Sequence, residues 1–79
     1  MSLFNLNSLN QILKNADITL TLNDQNIKTS LREIDIDSLD IMKIFFEIEK
    51  IYNVKFENSD IEQSTSFEKI IFLTQTKLK

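Results

Sequence analysis

The sequence predicts an all-α domain: a four-helix bundle of three main helices and a short third helix, with a long loop between helices one and two. Three segments carry apolar residues at spacings of three and four, the periodicity of helices buried on one side. Capping residues precede the later helical segments. With 79 residues, of which 42% are hydrophobic, residues 1–79 are expected to form one domain with a modest core.

The first helix is predicted within residues 3–16. Apolar residues fall there on one helical face, at Leu3, Leu6, Leu9, Ile12, Leu13 and Ala16. Ser8 and Gln11 have the form of a capping box, which would start the regular helix as late as Leu9.

Residues 17–36 form a long connection. Ile18, Leu20 and Leu22 alternate with polar residues, which is a local strand signal. Because a lone hairpin is marginal in water, we favour an irregular, partly extended loop, with a small hairpin as the alternative. Apolar residues are expected to hold this loop across the helices, at Leu20, Leu22, Ile27, Leu31 and Ile34.

The second helix is predicted over residues 38–52. Asp37 suits its N-cap, Asp40 complements the positive end of the helix dipole, and Asn53 suits the C-terminal stop. Its apolar stripe is wide, which indicates contacts on two sides or an apolar patch left for a ligand or partner. The stripe consists of Leu39, Ile41, Met42, Ile44, Phe45, Phe46, Ile48, Ile51 and Tyr52.

The remaining chain predicts a short helical turn and a final helix. Asn58 or Ser59 is expected to cap the turn, which runs through Gln63, and a capping box at Thr65 and Glu68 opens a helix to about Leu78. The predicted core comprises Leu9, Ile12, Leu13, Ile34, Ile44, Ile48, Tyr52, Phe56, Ile61, Phe67, Ile70 and Ile71.

Charge is unevenly distributed along the chain. Residues 33–62 hold nine acids and three bases, whereas the rest of the chain holds three acids and six bases. This pattern argues against nucleic acid binding, which needs a basic patch, and favours a basic protein partner. A solvated acidic face without a partner is the alternative.

The composition argues against an enzyme. The chain has no histidine, cysteine or glycine, so a histidine base, a thiolate nucleophile and a Gly-rich phosphate loop are all absent. A hydrolase built on Ser38 would lack the base that activates the nucleophile. Zinc is not expected. Calcium at Asp35, Asp37 and Asp40 is the weaker possibility, because an EF-hand glycine and distal glutamate are missing.

The candidate functional residue is Ser38, at the start of the second helix. There its hydroxyl is expected in solvent, near unpaired backbone N–H groups and the positive end of the helix dipole, which suits a group that carries phosphate. The tetrapeptide from Asp37 to Asp40 is a weak motif when taken alone, because Asp and Ser are also common at an ordinary helix start.

Four stretches together resemble the acyl carrier protein family: residues 30–40, 48–56, 59–62 and 65–71. They correspond to its pre-serine loop and Asp-Ser-Leu motif, the end of its second helix, and its short third and last helices. The resemblance implies 4'-phosphopantetheine covalently attached to Ser38, flanked by Asp37 and Leu39. A separate phosphopantetheinyl transferase would supply the arm from coenzyme A with magnesium. The thiol of the arm would hold an acyl chain as a thioester.

The resemblance also implies that acyl-loading and acyl-processing enzymes with basic docking patches bind the second helix. The expected contact residues are Leu39, Asp40, Met42, Lys43, Glu47 and Glu49. Lys43 and Lys50 stand where family members often have glutamate, and Asp35 where many have glycine. These departures favour a dedicated pathway over general fatty acid synthesis, and Lys43 is expected to affect specificity.

Two other functions stay open: an unmodified helical adaptor, and a peptidyl or aminoacyl carrier. The apolar runs are too short for a membrane span, and the N-terminal residues do not have the form of a secretory signal. A cytoplasmic monomer is therefore the simplest expectation.

Overall fold

The computed structural model describes residues 4–78. Within this range the helices are α1 (Leu6–Asn15), α2 (Ser38–Tyr52), α3 (Asn58–Gln63) and α4 (Phe67–Lys77). Two 3-10 turns, Asn26–Lys28 and Leu31–Ile34, lie in the connection between α1 and α2. The described residues form no strand, and one isolated antiparallel bridge joins Ser30 to Ser66. The predicted all-α bundle is therefore confirmed, and the hairpin alternative is wrong.

The bounds of α2 agree with the prediction. The Asp37 carboxylate accepts the Asp40 N–H at 2.9 Å, so Asp37 is the N-cap. Asn53 ends the helix in the left-handed region, with φ 58° and ψ 46°. Asn and Asp tolerate this region better than other non-glycine residues, and no glycine is available in this chain.

The predicted cap of α1 is wrong, and its predicted start at Leu3 lies outside the described residues. The side-chain oxygen of Asn5 accepts the N–H of Ser8 at 3.0 Å, so Asn5 is the N-cap and Ser8 lies inside the helix. Phe4, just before this cap, is fully buried and its carbonyl accepts the Gln75 side-chain amide at 2.7 Å. Contact with α4 thus fixes where α1 begins.

The caps of α3 and α4 also differ from the predicted ones. Glu57, and neither Asn58 nor Ser59, precedes α3, and its N–H donates to the Asp60 carboxylate at 3.0 Å. Ser66 caps α4 by accepting the Lys69 N–H at 3.3 Å. Thr65, the predicted cap, lies just before this cap, and its carbonyl accepts the Leu31 N–H at 3.0 Å. The cap of α4 thus lies one residue later than predicted.

The core lies between α1, α2 and α4. All predicted core residues belong to it, although Ile34, Tyr52, Phe56, Ile61 and Ile71 pack at its margin and are only partly buried. Phe4, Phe45, Leu22 and Ile36 are buried core residues that the predicted core list omits. The ring of Phe45 meets that of Phe56 edge-on, with centroids 4.6 Å apart, and Phe4 meets Tyr52 at 5.2 Å.

The long loop is held by apolar anchors, as predicted, and by one asparagine of α1. Leu22 and Leu31 are buried, while Leu20, Ile27 and Ile34 are partly buried against the core. The Asn10 side chain accepts the Leu22 N–H at 2.7 Å and donates to the Leu22 carbonyl at 3.3 Å. This amide pairs the backbone at the point where the loop enters the core.

None of the helices in residues 4–78 is long and apolar enough to cross a membrane.

Candidate functional site

Ser38 is the first residue of α2, and its side chain is exposed. The first four N–H groups of a helix have no acceptor within the helix. In α2 the Asp37 carboxylate accepts one of them, the N–H of Asp40. The remaining N–H groups and the positive end of the helix dipole therefore lie beside the Ser38 hydroxyl. This environment favours a phosphate ester at that position.

The segment before Ser38 is fixed by the core. Leu31 and Ile36 are buried, and the Ile36 N–H donates to the Leu31 carbonyl at 3.1 Å. Between them Asp35 takes a left-handed conformation, with φ 59° and ψ 33°. The loop thus turns without a glycine and delivers Ser38 to the surface at a defined place.

A groove of about 530 Å³ lies between α2, α3 and the long loop, and Ser38 is one of the residues that line it. Ile36, Ile41, Met42 and Ile61 supply apolar side chains along it, and Arg32 and Glu62 supply charges. An extended group attached to Ser38 could lie in this groove with apolar contacts. The groove is lined by Ser30, Leu31, Arg32, Ile36, Asp37, Ser38, Ile41, Met42, Ile61, Glu62, Ser64 and Thr65.

Sequence reasoning did not identify Arg32, Ile41, Ile61 or Glu62 as site residues. They come from three separate segments, and only the packing of α3 beside α2 brings them together. The wide apolar stripe of α2 was the one signal that a ligand surface adjoins this helix.

The predicted partner residues lie on different sides of α2. Leu39 and Met42 are 69% and 58% exposed, and Lys43 is exposed as well. Asp40 and Glu47 are half-buried. Glu49 is also half-buried, and its carboxylate accepts the Phe56 N–H at 2.8 Å. Glu49 therefore fastens the segment after α2 to the helix.

The far wall of the groove is fastened by charge. The Asp60 carboxylate of α3 lies 3.2 Å from the Lys77 ammonium of α4. The Glu57 N–H, which donates to this carboxylate, lowers the pKa of Asp60; burial opposes the shift and Lys77 adds to it. Lys77 also lies 5.6 Å from the centre of the Phe56 ring.

The described residues contain no group of three or more His, Cys, Asp or Glu side chains that could hold a metal ion. Asp35, Asp37 and Asp40, the weak calcium candidates, therefore do not come together as a ligand set.

The comparisons with known proteins agree with this geometry. The family described as "Phosphopantetheine attachment site" matches residues 6–71, which include α1, α2, α3 and the first part of α4. A protein of Phytoplasma australiense named "Acyl carrier protein" is 32% identical over 62 residues, which are 75% of this chain and 82% of that relative. No solved structure matches the chain.

Proposed function

Since this chain belongs to the acyl carrier protein family, whose attachment domain carries covalent 4'-phosphopantetheine, we propose that Ser38 bears this group. The observation that carries the proposal is the exposed Ser38 hydroxyl at the N-terminus of a 15-residue helix, beside a groove. The arm would leave the protein at Ser38 and the groove would receive part of it or of its cargo.

The other serines of the described residues are less suitable. Ser64 and Ser66 are buried and hydrogen-bonded, Ser30 pairs with Ser66, and Ser8 bonds to the cap of α1. Ser59 is exposed, but it lies in the six-residue α3 between Asn58 and Asp60 and lacks the Asp-Ser-Leu motif that surrounds Ser38.

The attachment reaction would use this chain as a substrate. The Ser38 oxygen would attack the phosphorus that joins phosphopantetheine to the nucleotide of coenzyme A, forming a phosphodiester and releasing the nucleotide. The chain contains no histidine or cysteine, so the base that takes the Ser38 proton would come from the phosphopantetheinyl transferase. The protein would act as a carrier that other enzymes load and unload.

The cargo would be an acyl group held as a thioester on the thiol of the arm. The Ile36, Ile41 and Ile61 side chains line the groove next to Ser38. An acyl chain that enters this groove gains from apolar burial at about 25 cal/mol per Å². The pathway we propose is fatty acid, polyketide or related specialised synthesis.

Partner enzymes would approach the Ser38 end of α2. Asp37 and Asp40 flank Ser38 and would attract basic groups around an enzyme's active-site entrance, while Leu39 and Met42 give an apolar contact. Such contacts favour short-lived complexes, in which charge acts mainly on the encounter rate. A monomer in the cytoplasm is the form we propose.

Intact-mass measurement tests the proposal. Incubation with a broadly specific phosphopantetheinyl transferase, coenzyme A and magnesium should add one arm, and peptide sequencing should locate it at Ser38. Ser38→Ala should gain nothing, while Ser59→Ala, the matched control, should be modified like the natural chain. An unmodified natural chain, as an adaptor protein requires, or an arm on Ser59 would overturn the proposal.

A further inference from the structure

We infer that the solvent face of α2, formed by Leu39, Met42, Lys43, Phe46 and Lys50, docks a partner enzyme that presents carboxylates around an apolar pocket. We call these five residues the lysine face. The inference rests on the proposed carrier function and specifies the chemistry of a partner that acts on the arm.

The apolar part of the lysine face is a continuous line along the helix. Leu39, Met42 and Phe46 are spaced by three and four residues, so their side chains lie on one side of α2. Phe46 is 63% exposed, although the fold buries Phe45 beside it. Exposed large apolar side chains in a row, bordered by charges, are typical of protein interaction sites.

Burial sorts the charges of α2 by sign. Both lysines of the helix are exposed, and all three acids are half-buried. Lys50 has 63% of its side chain exposed, whereas Glu47, whose carboxylate lies 3.7 Å from the Lys50 ammonium, has 17%.

The acids of α2 also have partners within the chain. Glu49 binds the Phe56 N–H, and Glu47 pairs with Lys50. An approaching protein therefore meets Lys43 and Lys50 before it meets Glu47 or Glu49. In sequence α2 carries three acids and two bases, but its most exposed charges beyond the first turn are the two lysines, of which Lys50 is paired with Glu47.

This arrangement selects among occupants of the face. A basic docking patch would bring like charges against Lys43 and Lys50, which lowers affinity. A second copy of this chain, packed α2 against α2, would bring four lysines into one interface. Carboxylates around a pocket for Phe46 complement both the charge and the apolar line.

The lysine face also extends away from Ser38. Lys43 follows Ser38 by five residues along α2, and Lys50 follows it by twelve. A helix rises about 1.5 Å per residue, so the backbones of these lysines are roughly 8 and 18 Å from that of Ser38 along the helix axis. A partner would then place basic groups near Asp37 and Asp40 and acidic groups further along the helix. Such a two-sign pattern distinguishes a dedicated enzyme from one with a uniformly basic patch.

A charge-exchange experiment tests the inference. The probes are a malonyl transferase of general fatty acid synthesis with a basic docking surface, and its variant in which the basic residues that would face the middle of α2 are replaced by glutamate. The chain is first given its arm and the arm is verified by mass, so a failure of attachment is recognised separately. We expect the glutamate variant to load the natural chain with a kcat/KM roughly tenfold higher than that of the unmodified transferase.

Substitution of the lysine face should invert this preference. Lys43→Glu/Lys50→Glu should be loaded faster by the basic transferase, whereas Lys14→Glu/Lys69→Glu, which changes the net charge equally at exposed sites on other helices, should keep the natural order. Phe46→Ala should lower kcat/KM with the glutamate variant about tenfold.

Three outcomes would overturn the inference. One is a natural chain that the basic transferase loads at least as fast as its glutamate variant. Another is that the Lys14→Glu/Lys69→Glu control inverts the preference between the two transferases as strongly as Lys43→Glu/Lys50→Glu does. The third is that the natural chain sediments as a dimer and the Phe46→Ala variant as a monomer, because a second copy of the chain would then cover the lysine face.

Discussion

Two walls of the groove beside Ser38, α2 and α3, are held in the fold by different forces. α2 has 15 residues and buries Ile44, Phe45 and Ile48 in the core. α3 has six residues, none of them buried, and Ile61 only borders the core. Polar contacts fasten α3. The Glu57 N–H donates to the Asp60 carboxylate, and the Lys77 ammonium forms an ion pair with it. The Ser64 hydroxyl donates to the Asp60 carbonyl at 2.9 Å.

The difference indicates which wall moves. A helix held by apolar burial separates from the core only when much of the domain unfolds, whereas a short helix held by polar contacts can open locally. We therefore expect α2 to keep Ser38 and the lysine face in place while α3 opens to admit an arm or an acyl chain.

The largest expected effect is on the wall held by the core. Ile48→Ala removes a fully buried side chain, and we expect it to lower the free energy of unfolding by about 2–5 kcal/mol. Phe46→Ala, an exposed position on the same helix, should change it by less than about 0.5 kcal/mol. Urea unfolding followed by circular dichroism measures both. Equal losses would mean that the two faces of α2 do not differ in burial.

A smaller effect is expected from loosening the other wall. Lys77→Met removes the cation that pairs with Asp60, and because the pair is partly exposed, we expect a loss of at most about 1 kcal/mol. Hydrogen exchange should report the change in α3 residues while α2 protection is kept. Lys69→Met is the matched control on α4. Equal loss of protection in α2 and α3 would contradict independent opening.

The pH dependence should separate the walls further. The pKa of Asp60 is lowered in the folded state, so its contribution to stability is present above the unfolded pKa of about 3.8 and is lost as pH falls through the lower folded value. Amide exchange measured by NMR should therefore show α3 loosening below about pH 4 while α2 stays protected. Asp60→Asn should remove this acid-induced step. An unchanged step in that variant would assign it to other carboxylates.

The smallest effect concerns the turn that leads into α2. Asp35 occupies a left-handed conformation in which glycine has no steric cost, so Asp35→Gly should raise the free energy of unfolding by less than about 1 kcal/mol. Asp35→Ala keeps the unfavourable Cβ, and because residues other than Gly, Asn and Asp tolerate this region less well, it should lower the free energy of unfolding by less than about 1 kcal/mol. Thermal unfolding of the pair measures the difference. A more stable alanine variant would show that this turn carries no strain.

Local sequence signals determined α2 and its serine. Asp37 as a cap, an apolar period from Leu39 to Tyr52 and Asn53 as a stop all act within a few residues, so the helix bounds could be read directly. The all-α class and the apolar anchors of the long loop also follow from local apolar periodicity. The caps of α1, α3 and α4 do not follow from it, because several polar residues compete at each end and distant contacts choose among them. Phe4 packs on Tyr52, for example, and Thr65 bonds to Leu31.

Only the tertiary structure decided which side of α2 faces outward. Sequence showed a stripe too wide for one contact and a mixture of acids and lysines, but not which residues the neighbouring elements cover. Packing against the rest of the domain buries Ile44, Phe45 and Ile48, half-covers the acids and leaves Phe46 with the two lysines in solvent. The groove at Ser38 likewise draws its lining from segments far apart in the chain. Helical periodicity fixes the angles between side chains around the helix axis. Which of these side chains face solvent depends on contacts between residues distant in sequence.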